Sequence, residues 1–267
     1  MVTRVQRHVK APRYDGLGKM EEHDLLSNSS RTSGPKSNAD DWELEDLYKK
    51  PVSAEVGIQE GFLVMISKLT EMIRLILGCI SGGAASQLQD CTNLANEVHQ
   101  CEKILTRALL ASRGEHDPLN ALIRLPFQLE GIGENLETIL SCCRIKMREG
   151  LDLTGKAESA LHQLLAVLLD MMSNLRDAFR RPDAVLLESI ICECREANQK
   201  VQELRLIPWP SRFKGPAAFE TTRMYLDALD AIKSANEGLG KICASVMEWE
   251  TVLTASGSEG EKHGEMT

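Results

Sequence analysis

Apolar residues recur along most of the chain every three or four positions, the spacing that lays one stripe along a helix. The stripe is clearest in Leu161, Leu164, Leu165, Leu168, Met172, Leu175 and Phe179, and it returns in Leu186, Ile190, Cys194, Ala197, Val201 and Leu204. Helix breakers cut the pattern into six segments. Gly82-Gly83 closes the first, and Gly114 with Asp117-Pro118, an N-cap before a first-turn proline, divides the second from the third. Gly150 to Gly155 ends the third, Arg181-Pro182 the fourth, and Pro208-Trp209-Pro210 with Gly215-Pro216 parts the fifth from the sixth. Long helices on short connections pack antiparallel into bundles.

The six segments read as three helices written twice, because a shift of 100 residues superimposes their landmarks. Leu69, Met72 and Leu75 fall on Leu169, Met172 and Leu175, the block Leu129 to Glu134 falls on Leu229 to Ser234, and Cys143 falls on Cys243. The expected architecture is all-α, with two tandem antiparallel three-helix bundles over residues 53–150 and 154–253. Residues 1–50 mix Arg, Lys, His, Ser, Gly and Asn without a sustained period, so a disordered arm is expected there, and a disordered tail over 254–267. The basic residues of the arm (Arg4, Arg7, Lys10, Arg13, Lys19) read as a solvated linker before they read as a contact for acidic lipid or RNA.

Composition sharpens this picture. Aromatic residues make up 4% of the chain, which fits helix-forming Leu, Ile, Met and Ala better than strands. A formal net charge of -8 repels phosphate backbones, making nucleic acid a poor partner. The richest apolar run, Phe62 to Ile80, is interrupted by Ser67, Lys68, Thr70, Glu71 and Arg74, so no transmembrane segment is expected. Eight cysteines within apolar helical patterns, and no leader-like opening, fit reduced thiols in the cytoplasm.

Candidate chemistry concentrates in the third segment. Glu130, Glu134 and Glu137 stand at i, i+4 and i+7 beside a core stripe of Leu129, Ile132, Leu136 and Ile139, and such a flank repels itself unless water or a cation intervenes. Gly131 and Gly133 each cost roughly 1 kcal/mol of helix propensity, a cost that close approach by a neighbour usually offsets. Pro126, just upstream, is expected to bend this helix. Other constellations are weaker. Glu97 is two residues from His99 and Glu158 four from His162, so the Glu-x-x-His spacing of a di-iron bundle is missing. The pairs Cys142-Cys143 and Cys192-x-Cys194 lie inside helices, where buried apolar packing is the default over zinc. Without a phosphate loop, a nucleophile elbow or a Ser-His-Asp set, an enzyme is not expected. Trp209 and Trp249 suit either partner anchoring or helix-end packing.

The block Leu129-Glu-Gly-Ile-Gly-Glu134 resembles the signature of PhoU-like phosphate-uptake regulators, in which an acid, three residues and a second acid lie on the third helix of each three-helix repeat. The resemblance covers residues 53 to about 252, and related domains accompany sodium-phosphate cotransporters and Pit-type permeases. It implies iron, zinc or manganese gathered by those acids, and a negative regulator linking a phosphate transporter to its sensor kinase. Glu130 and Glu134 match the pair in the first repeat. In the second, Asp230, with Asp227 nearby, matches the first acid, while Ser234 replaces the second; Gly131 and Ala231 stand where an Arg is common. The chain thus reads as a divergent PhoU-like adaptor acting through protein contacts, with a homodimer as one possible state. The competing readings are a metal-free helical scaffold that self-associates and, further off, a metal-dependent enzyme.

Overall fold

The computed structural model describes residues 54–112, 118–151, 153–181, 183–206 and 216–262. The expected arm over residues 1–50 lies outside them, as do Asp117, Pro182, Trp209 and the 263–267 end. Among the described residues six α-helices follow one another: α1 (Ala54–Ile80), α2 (Ala85–Ala111), α3 (Leu125–Glu149), α4 (Gly155–Arg180), α5 (Ala184–Arg205) and α6 (Pro216–Lys262), with a short 3-10 helix (Pro118–Leu122) before α3. No strand occurs among the described residues. α6 continues to Lys262, beyond the boundary expected at 253.

Local chemistry sets the helix ends. Asp183 caps α5 by accepting from the amides of Val185 and Leu186 (3.0 and 3.1 Å), and Thr154 caps α4 through the Ala157 amide at 3.2 Å. Gly150 ends α3 at a φ of 60°, a left-handed turn that a side chain would strain. Pro126, expected within the third helix as a bend, instead occupies its first turn, where a missing amide proton costs nothing. The breakers predict one helix from Asp117 onward; a 3-10 turn and the break at residues 123–124 absorb the difference.

The duplication is plain in the helix bounds, since α1 and α4, and likewise α2 and α5, begin about one hundred residues apart. Within each repeat the outer helix is held by a single stripe. Cys91, Ala95, Val98, Cys101, Leu105 and Leu109 bury α2 against α1 and α3, while Leu187, Ile190, Cys194, Ala197, Val201 and Leu204 bury α5 against α4 and α6. The repeats join through α1 with α4 and α3 with α6. The α3–α6 joint is antiparallel: Gly238 sits against Ile132, whereas Ala228 shares a cavity wall with Cys142. At the first joint, Gln59 Nε2 donates to the Phe179 carbonyl at 2.7 Å, and the Phe179 ring lies between Phe62 (5.4 Å) and Trp249 (6.5 Å). Trp249 is therefore packed in the core, as helix-end packing requires. The expectation of two bundles holds at the level of helices, but their buried side chains form one continuous core.

Candidate functional site

The acidic flank of α3 does not act as one unit. Glu130 turns toward α2, where its carboxylate meets His99 Nδ1, and Glu102 stands one helical turn beyond His99 on the same face. One ligand atom from each of His99, Glu102 and Glu130 lies within 4.8 Å of the others. Glu102 also accepts a hydrogen bond from Thr106 Oγ1 at 2.9 Å, which orients its carboxylate. His99 is half exposed and Glu130 largely sheltered, at 49% and 18% of side-chain area, so the group opens to solvent on the imidazole side.

Close packing beneath the site explains part of the sequence. A Cβ on Gly133 would come within 3.3 Å of Val98 Cγ1 and 3.5 Å of Leu69 Cδ2, so the glycine lets α3 press against α2 and α1 one residue away from His99. Gly131, by contrast, faces open space and has no such compensation.

The remaining expected site residues lie apart. Glu134 and Glu137 are exposed on α3, and neither joins a group of three ligand residues among the described residues. Asp227 pairs with Arg223 at 3.7 Å, and Asp230 accepts from Arg205 Nη1 of α5. Where Glu130 finds an imidazole and a carboxylate, its counterpart Asp230 finds a guanidinium. The reason lies in the outer helix: His99 and Glu102 are replaced by Gln199 and Gln202, and Leu105 by Arg205.

An imidazole nitrogen with two carboxylate oxygens suits zinc, ferrous iron or manganese, and leaves room for water or a partner's ligand. The donor set therefore fits the metals that the PhoU-like resemblance implies, but it spans α2 and α3 where the signature places an acid pair along α3. His99 and Glu102 escape a search for Glu-x-x-His; the signal available was the reverse spacing, His99-x-x-Glu102, on the helix facing Glu130.

Among the described residues no helix is long and apolar enough to cross a membrane. No protein-family model matches the chain, and no curated protein sequence does. Solved structures do. PhoU from Pseudomonas aeruginosa superimposes with a TM-score of 0.60 at 15% identity, covering 79% of this chain and 98% of that one. The phosphate transport system regulatory protein PhoU from Streptococcus pneumoniae gives 0.56 at 16% identity, covering 79% and 96%. With both repeats matched and nearly the whole of each neighbour covered, the chain has the PhoU fold.

Proposed function

We propose that this protein is a PhoU-like regulatory adaptor, which restrains phosphate transport or its signalling by docking on a transporter or sensor-kinase component. The carrying observation is the coverage: 98% of the Pseudomonas PhoU finds an equivalent here, so nearly all of that protein's fold is represented. In this reading the protein works through its helical surface on the cytoplasmic side, alone or as a homodimer, and performs no catalytic step of its own. Function and fold are separable in general, so the site has to carry the chemistry. His99, Glu102 and Glu130 would hold zinc, iron or manganese on the α2–α3 face. The bound ion would supply positive charge and open coordination positions to an otherwise acidic surface. Glu134 and Glu137, one and two turns along, would extend the acidic rim toward a partner.

The test is genetic. Deleting the gene should raise phosphate uptake in phosphate-replete medium, and restoring the wild-type chain should lower it again. Restoration with His99→Ala plus Glu130→Ala should fail if the ion matters to docking. Uptake unchanged by the deletion contradicts the adaptor reading. Full restoration by the double variant would leave regulation in place and remove the ion from it, as in a metal-free scaffold.

A further inference from the structure

The first repeat carries an apolar and basic patch that the second lacks. Phe127 on α3 is 71% exposed and Leu110 on α2 50%. Lys103 follows His99 by one turn of α2 and Leu110 by three, so both stand on the flank that turns toward α3. α2 and α3 run antiparallel, with Arg144 donating to Thr92 Oγ1 and Glu130 meeting His99, so the stretch of α2 beyond His99 lies beside the start of α3 and Phe127. Lys103 and Arg107 are both exposed and one turn apart, a like-charge spacing that repels unless an anion lies across it. Neither makes an ion pair among the described residues. A shift of one hundred residues puts Asp227 at the place of Phe127 and Glu203 at that of Lys103, and both acids are paired locally, with Arg223 at 3.7 Å and Lys200 at 2.9 Å. The architecture therefore requires neither the exposed ring nor the unpaired cations.

α1 begins at this same end of the bundle. Lys68 bridges to Glu97 and the Met72 carbonyl meets Cys91, so α1 and α2 are antiparallel, and Ala54 and Ala111 lie equally far along them from that bridge. Just before Ala54, outside the described residues, the sequence reads Asp40-Asp-Trp-Glu-Leu-Glu-Asp-Leu-Tyr48, five acids interleaved with Trp42, Leu44, Leu47 and Tyr48. We propose that residues 40–48 dock on the patch, their aromatic and leucine side chains against Phe127 and Leu110 and their carboxylates across Lys103 and Arg107. The charges of segment and patch are opposite, and each supplies the apolar surface that the other exposes. Tyr48 is six residues from Ala54, which at roughly 3.3 Å per residue tethers the segment within about 20 Å of that end. So short a tether gives an effective concentration on the order of millimolar, at which a small contact of this kind holds.

The full chain is digested briefly with a glutamate-specific protease, and cleavage after Glu43 and Glu45 is timed by mass spectrometry beside a synthetic peptide of residues 38–53. Cleavage of a segment that undocks transiently tracks the undocked population, so the wild-type chain should be cut at least about tenfold more slowly than the peptide. Phe127→Ala should be cut at near the peptide rate, and so should Lys103→Glu with Arg107→Glu. All three positions are exposed, and circular dichroism checks that the helices remain. Phe219→Ala, which removes an exposed ring at the opposite end of the bundle, should stay protected, as should the wild type with a chelator added. These controls separate the contact from apolar surface in general and from an ion at His99. Wild-type cleavage at the peptide rate, full protection in either patch variant, or protection lost in Phe219→Ala or with the chelator would overturn the proposal. So would protection that grows with chain concentration, since the segment would then lie on the patch of a second copy.

Discussion

The α2–α3 face and the α5–α6 face are the same piece of architecture built twice, and they have diverged into opposite chemistry. On the first, Glu130 faces His99 and Glu102, a set of donors with no fixed cation; on the second, Asp230 is taken by Arg205. Beneath the surface the difference repeats. Val98 and Leu136 of the first repeat are apolar and buried, whereas their counterparts Asn198 and Asn236 are hydrogen-bonded to each other at 3.1 Å. Asn236 is fully buried, and its side-chain oxygen has no protein partner. At Val98 and Leu136 the exchange of apolar for polar contact is made on both facing helices at once. On the outer face the acid is kept in both copies, and only the second pairs it with an arginine.

The largest expected effect tests how unequally the copies load the shared core. Phe179→Ala removes the ring between Phe62 and Trp249 and should cost about 3–5 kcal/mol in chemical denaturation. The counterpart Cys79→Ala should cost about 1 kcal/mol, near the centre of ordinary point-mutant effects. Equal costs would mean that the two copies load the shared core alike. A truncation ending at residue 152 sharpens the same point. α1 and α3 bury faces against α4 and α6, so the isolated first repeat should be helical by circular dichroism yet self-associate in sedimentation, restoring the lost faces with a second copy.

Smaller effects come from the polar pair. Asn236→Leu alone should destabilise by about 1–3 kcal/mol, since Asn198 loses its partner. Adding Asn198→Val recreates the first repeat's combination and should recover most of that loss; a double variant worse than the single would show that the pair does more than fill space. Smallest is Arg205→Ala, which removes an exposed ion pair and should change stability by less than about 1 kcal/mol. Thiol accessibility gives an independent reading: a disulfide reagent at neutral pH should modify Cys192 quickly, because the other seven cysteines are buried.

Much of the fold was legible because helical periodicity and breakers are local signals. Gly82-Gly83, Gly150 and Arg181-Pro182 mark helix ends within a residue or two, and the 100-residue offset follows from them. The break at residues 123–124 was not legible, since Ile123 and Arg124 carry no breaker and the apolar pattern runs through them. Of the site, Glu130 was legible as one acid on a patterned flank. Its partners were not, because His99 and Glu102 reach it across a helix–helix contact that no spacing within α3 encodes. The Asn198–Asn236 pair and the cavity beside Cys142 were hidden for the same reason: each depends on which faces meet.

The cation site proposed above lies on the first repeat alone, since the equivalent acid of the second, Asp230, is paired with Arg205. Metal content and zinc affinity of the purified full chain, compared with Glu130→Ala and Asp230→Ala, test it most directly. The account predicts about one zinc-class ion per chain, lost in Glu130→Ala and kept in Asp230→Ala. An ion lost equally in both variants, or kept in both, would contradict it.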